Sequence, residues 1–99
     1  MTFPAATLTS PTMGEPTFPP TMIVGGCATG VLIGGLPAAK FGATCMPHTR
    51  VLPPFDTHTE VIIKGSTGVF IEGVPAVRMT DVGMFGDIIV KGEPTVLIG

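Results

Sequence analysis

Two segments of this chain are copies of one another, and no other feature restricts its fold as much. Gly30-Val31-Leu32-Ile33-Gly34-Gly35-Leu36-Pro37-Ala38-Ala39-Lys40 aligns without a gap on Gly68-Val69-Phe70-Ile71-Glu72-Gly73-Val74-Pro75-Ala76-Val77-Arg78, at a constant offset of 38 residues (75 − 37). A truncated third copy, Pro94-Thr95-Val96-Leu97-Ile98-Gly99, ends the sequence. Each copy follows an apolar segment that closes on Gly: Met22-Ile23-Val24-Gly25-Gly26, Val61-Ile62-Ile63-Lys64-Gly65 and Ile88-Ile89-Val90-Lys91-Gly92. β-Branched apolar blocks punctuated by Gly read as strands and tight turns, because Gly supplies positive φ and strands favour Val and Ile. The unit therefore reads as a strand, a short turn around Gly26 to Thr29 in the first copy, and a second strand. One hairpin alone is marginal in water, so three must bury their apolar faces against one another. Three equivalent hairpins about a common axis predict an all-β cone or prism with approximate threefold symmetry and little or no helix. A single chain with that internal symmetry is suited to docking on the end of a true trimer.

Composition narrows the function. The 99 residues suffice for one small domain, which buries about two-thirds of its unfolded surface and has little room for a large catalytic cavity. The 14 Gly and 11 Pro approach the content of disordered sequence, but their regular spacing between apolar blocks argues for turns. Five Lys plus Arg against seven Asp plus Glu provide no basic stripe for a phosphate backbone, so nucleic acid is not the expected partner. The longest run without charge or Pro, Thr21 to Leu36, is interrupted by Gly and falls short of the roughly 20 apolar residues of a membrane-spanning helix. Met1-Thr2-Phe3-Pro4 lacks the basic and apolar regions of a signal peptide, so the chain is expected to be made in the cytoplasm and to leave the cell, if it does, by another route. Residues 1–20, with Pro4, Pro11, Pro16, Pro19 and Pro20 among many Thr, read as an extended arm, and residues 21–99 as the β domain.

The connection between the first two repeats, Thr44 to Thr59, concentrates metal-ligand chemistry. Cys45, Met46, Pro47 and His48 form a Cys-x-x-His step, and His58, the chain's other His, follows ten residues after His48. A thiolate and two imidazoles suit tetrahedral Zn²⁺, and an irregular Pro-rich loop needs a constraint of this kind. Asp56 and Glu60 nearby read as solvated loop carboxylates. A hydrolytic zinc would need a general base and a substrate pocket, which a body this small offers poorly.

These residues resemble the PAAR-repeat family, named for a Pro-Ala-Ala-Arg signature. It appears here as Pro37-Ala38-Ala39-Lys40 and Pro75-Ala76-Val77-Arg78, each after an apolar strand and a Gly, and the resemblance spans roughly Thr21 to Gly99. It implies a small β cone with a zinc ion near its point and a blunt base seated on a trimeric spike protein (VgrG-like), one tip per trimer. The machine would be a type VI secretion system, a contractile phage tail or an extracellular injection particle. The tip would meet the target membrane transiently when the machine contracts and delivers it outside the cell. With residues 1–20 as its only extension, the chain looks like a bare tip, whose effector, if any, is bound non-covalently. The Val96-Leu97-Ile98 end and the turns near Gly35 and Gly73 are the expected base.

Family members typically offer three His and one Cys, the first His ahead of the first strand. The corresponding stretch here, Thr12-Met13-Gly14-Glu15-Pro16-Thr17, has no His. The fourth ligand is therefore either Glu15 or Cys27, and Cys27 also reads as a small apolar filler. A Cys27–Cys45 disulfide competes with metal binding but suits a reducing cytoplasm poorly. The other functional class open to this sequence is a free-standing zinc-binding β module, a binding domain or minor hydrolase without a spike partner.

Overall fold

The computed structural model describes residues 2–99, and within them the regular structure is entirely strand. The strands are β1 (Phe3–Ala5), β2 (Pro11–Met13), β3 (Thr21–Ile33), β4 (Leu36–Cys45), β5 (His48–Thr49), β6 (Thr57–His58), β7 (Phe70–Ile71), β8 (Val74–Pro75), β9 (Ile88–Ile89) and β10 (Glu93–Ile98). The all-β expectation holds, but the turn of the repeat lies elsewhere. β3 runs straight through the expected turn at Gly26 to Thr29 and pairs antiparallel with β4, with register shifts after Ile23, Gly25 and Cys27. The reversal comes at Gly34-Gly35, with φ of 60° and 83°, and at Glu72-Gly73 between β7 and β8, with φ of 52° and 85°. A two-residue turn with positive φ at both positions matches the twist of the strands it joins, and among the described residues only these dipeptides supply it. Gly25 and Gly26 are instead absorbed as irregularities of one long strand.

The third hairpin closes through the other end of the chain. β1 pairs antiparallel with β10, with Phe3 opposite Ile98 and Pro4 opposite Leu97. Leu36 opposite Ile33 with Pro37 opposite Leu32 repeats this geometry, as does Val74 opposite Ile71 with Pro75 opposite Phe70. Pro4-Ala5-Ala6 is thus a third copy of the Pro-Ala-Ala step. Residues 2–20 contribute both β1 and β2, the latter bridging β3 and β9, with turns at Leu8-Thr9 and Pro16-Thr17 between extended stretches.

Backbone hydrogen bonds close a ring around the axis: Ala6 N–H to Val77 O (3.0 Å), Val77 N–H to Ala39 O (3.1 Å) and Ala39 N–H to Ala6 O (2.9 Å). The next layer carries three matching bonds, with Thr9, Gly42 and Thr80 donating to the carbonyls of Ile23, Ile62 and Ile89. Thr9, Gly42 and Thr80 share a positive φ, at 73°, 91° and 80°. Three strands that meet at an axis leave no space for long side chains, which is why Ala5, Ala6, Ala38, Ala39 and Ala76 sit there fully buried. Ile23, Ile62 and Ile89 fill the wider layer beyond, with Ala43 and Cys45. The body is elongated, 40 × 26 × 20 Å. From the hairpin turns at one end, the segments after each Pro-Ala-Ala step lead through these layers toward Glu15, His48 and Phe85 at the other.

Candidate metal centre

The β5–β6 pair sets His48 directly opposite His58, so their side chains leave the same face of a two-stranded ribbon. Their Nε2 atoms are 2.9 Å apart. Glu15, in the turn after β2, brings its Oε1 to 2.9 Å from His58 Nε2 and 3.4 Å from His48 Nε2. Glu60, just past β6, completes the group, and the ligand atoms of all four residues lie within 4.8 Å of one another. Three separate segments converge on one point.

The surroundings orient these groups. His48 Nδ1 lies 2.9 Å from Pro19 O; a carbonyl only accepts, so Nδ1 carries the proton and the Nε2 lone pair faces the cluster. Phe18 packs against both imidazoles, with centroids at 4.7 Å from His48 and 4.3 Å from His58, and Phe85 stacks on His58 at 4.0 Å. Glu60 is fully buried, and its carboxylate accepts the backbone N–H groups of Phe85 (2.6 Å) and Asp87 (3.3 Å). Gly83 makes this position accessible, since a Cβ there would overlap the Glu60 carboxylate. Asp87, also buried, accepts from Glu15 N–H (2.8 Å) and Thr12 Oγ1 (3.2 Å). The donor set suits a metal ion: bonds of about 2.0 Å to a tetrahedral centre place ligands about 3.3 Å apart, close to the 2.9 Å and 3.4 Å separations among His48, His58 and Glu15, with the Glu60 donor within 4.8 Å of them.

The structure brings together His48, His58 and Glu15 of the residues expected at the metal. Cys45 is placed behind them in the core, with Sγ 3.8 Å from Thr12 Oγ1. Burial pushes its thiol up to about 11, and the Glu60 and Asp87 carboxylates add to that shift while the Thr12 contact opposes it. Cys27 is half-buried against the core, with Sγ 3.8 Å from Gly25 O, and burial raises its thiol too. Both cysteines are free. Asp56 is solvated as expected and pairs with Arg50 at 2.6 Å. Glu60 is the correction: it is an interior carboxylate. The signal was its spacing, two residues before the core Ile62, which in a strand places both side chains on one face.

The fold and this site define a small, threefold-repeated β body with a buried His and carboxylate cluster at one end. The PAAR motif family matches residues 13–91, most of the chain, and the protein belongs to that family. A search of curated proteins gives no match. No helix among the described residues is long and apolar enough to cross a membrane.

Proposed function

We propose that this protein is a non-enzymatic tip that caps a trimeric, VgrG-like spike of a contractile injection machine and stiffens the point that meets the target envelope. The observation that carries the reading is the ring of hydrogen bonds among Ala6, Ala39 and Val77, which makes one chain threefold. The symmetry extends to the surface. Leu32, Phe70 and Leu97 occupy equivalent positions opposite the three prolines, and each is exposed, at 64%, 60% and 58%. Three matching apolar side chains at the hairpin-turn end would give a trimer the same contact on every subunit.

At the far end, a structural Zn²⁺ would be held by His48 and His58 with carboxylate help. Such an ion supplies Lewis-acid bonds that tie separate segments together where little apolar core is available. Glu60, the acid best placed for catalysis, is committed to two backbone N–H groups and sealed from solvent, which favours a structural role over a hydrolytic one.

Mixing the protein with the spike trimer of its own machine, and weighing the complex by light scattering, tests this reading. One tip per three spike chains is expected, with Leu32→Asp, Phe70→Asp and Leu97→Asp each weakening the complex. A protein that ignores the trimer, or binds it three to three, would overturn it.

A further inference from the structure

We propose that the metal of this centre is bound by two imidazoles and two carboxylates, those of His48, His58, Glu15 and Glu60, with the Cys45 thiol outside the coordination sphere. This rests on reading the cluster as a metal centre and goes further by naming its donors.

Charge is the first argument. Glu15, Glu60 and Asp87 bring three carboxylates into one largely buried region, with side-chain exposure of 11% for Glu15 and whole-residue exposure of 0% and 1% for the others. The ion pairs of Lys and Arg among the described residues go elsewhere, to Glu72, Asp56 and Asp81. Among the described residues the two imidazoles are the groups that reach the Glu15 carboxylate directly, while Arg50, paired with Asp56, acts on it from further away. Buried carboxylates without a cation are costly, and a divalent ion offsets two of them directly. Asp87 then serves as the outer partner that fixes Glu15 through its backbone N–H and accepts from Thr12.

Orientation is the second. The Nδ1–H of His48 is held by Pro19 O, the usual outer-shell arrangement of a ligating imidazole. The Glu60 carboxylate is fixed by two backbone N–H groups and occupies the space that Gly83 leaves free. Each oxygen of a carboxylate has two acceptor sites, so these bonds leave capacity for a metal. Cys45 belongs instead to the core layer with Ile23, Ile62 and Ile89. Imidazole and carboxylate donors suit Zn²⁺, Co²⁺, Fe²⁺ and Mn²⁺, whereas a thiolate would bias the site toward softer ions.

X-ray absorption at the metal edge of the zinc-loaded protein, with chelator competition for affinity, tests this on wild type, Cys45→Ser and Glu60→Gln. The expected spectrum shows only N and O neighbours near 2.0–2.2 Å and none at the zinc–sulfur distance of about 2.3 Å. Cys45→Ser is expected to hold one ion as tightly as wild type, and Glu60→Gln to bind more weakly by at least the roughly 10–100-fold that loss of an outer-shell partner costs. A sulfur neighbour that vanishes in Cys45→Ser would overturn this donor set while leaving the metal centre standing, as would unchanged affinity in a folded Glu60→Gln. A wild-type protein that takes up no zinc would overturn both readings. The wild-type spectrum decides the sulfur question even if a variant does not fold.

Discussion

Removing residues 1–6 deletes the strand that completes the third hairpin, and the structure states what this breaks. Ala39 N–H loses its acceptor on Ala6, Val77 O loses the Ala6 donor, and Met79 N–H loses Pro4 O. Ala39 and Val77 are fully buried, so each orphaned group costs about 1–3 kcal/mol, and the Met79 bond about 1 kcal/mol more. The sum, about 3–7 kcal/mol, is a large part of the roughly 5–15 kcal/mol that stabilises a domain of this size. With no Trp or Tyr for fluorescence, urea unfolding followed by far-ultraviolet circular dichroism is the natural assay. At a slope of about 1–3 kcal/mol per molar urea, the midpoint is expected to fall by at least about 1 M. The complementary change is head-to-tail cyclisation, which would join β10 to β1 through the residues between Ile98 and Phe3. Closing a ring of this length removes up to about 4.7 kcal/mol of unfolded-state entropy, and the midpoint should rise. A truncated chain that unfolds at the wild-type midpoint would refute the closed-ring description.

Three further outcomes follow from the interior. Ile62→Ala removes one of three equivalent buried isoleucines and is expected to cost about 2–5 kcal/mol in the same assay. Gly83→Ala forces a Cβ into the Glu60 carboxylate; its metal affinity, read by chelator competition, is expected to drop at least about tenfold. Cys45 contributes a pH dependence: its folded thiol is raised from 9.0 to about 11, so it stabilises the fold below pH 9 and that contribution is lost as pH climbs toward the folded value. The loss is about 2–3 kcal/mol. It should appear as a difference between metal-free wild type and Cys45→Ala in urea midpoints measured across that range, and parallel curves would contradict it.

Much of this architecture was legible because the repeat is contiguous. Gly30 to Lys40 and Gly68 to Arg78 announce two hairpins and an axis. The third Pro-Ala-Ala step was harder to see: Phe3-Pro4-Ala5-Ala6 repeats the pattern of Leu36-Pro37-Ala38-Ala39, but it lies at the opposite end of the chain from the strand it pairs with. The turn was misplaced because Gly25, Gly26 and Gly30 look like turn residues. In the fold, pairing with β4 carries the strand past them, and the positive-φ pair Gly34-Gly35 reverses it. At the site, His48 and His58 were evident from their rarity and spacing. Glu60 was obscured because an acid beside a Pro-rich loop is ordinarily solvated, and its burial depends on a missing side chain at Gly83 that only tertiary packing reveals.

The central claim is that a metal ion closes the distal end of this threefold body. Metal content and thermal unfolding, measured on the same samples of wild type, His48→Ala and His58→Ala before and after chelation, test it most directly. The account predicts one divalent ion per wild-type chain, a large fall in unfolding temperature when it is stripped, and variants that hold no ion and melt like the stripped protein. Wild-type protein that carries no metal, or whose unfolding temperature is unchanged by removing it, would contradict the claim.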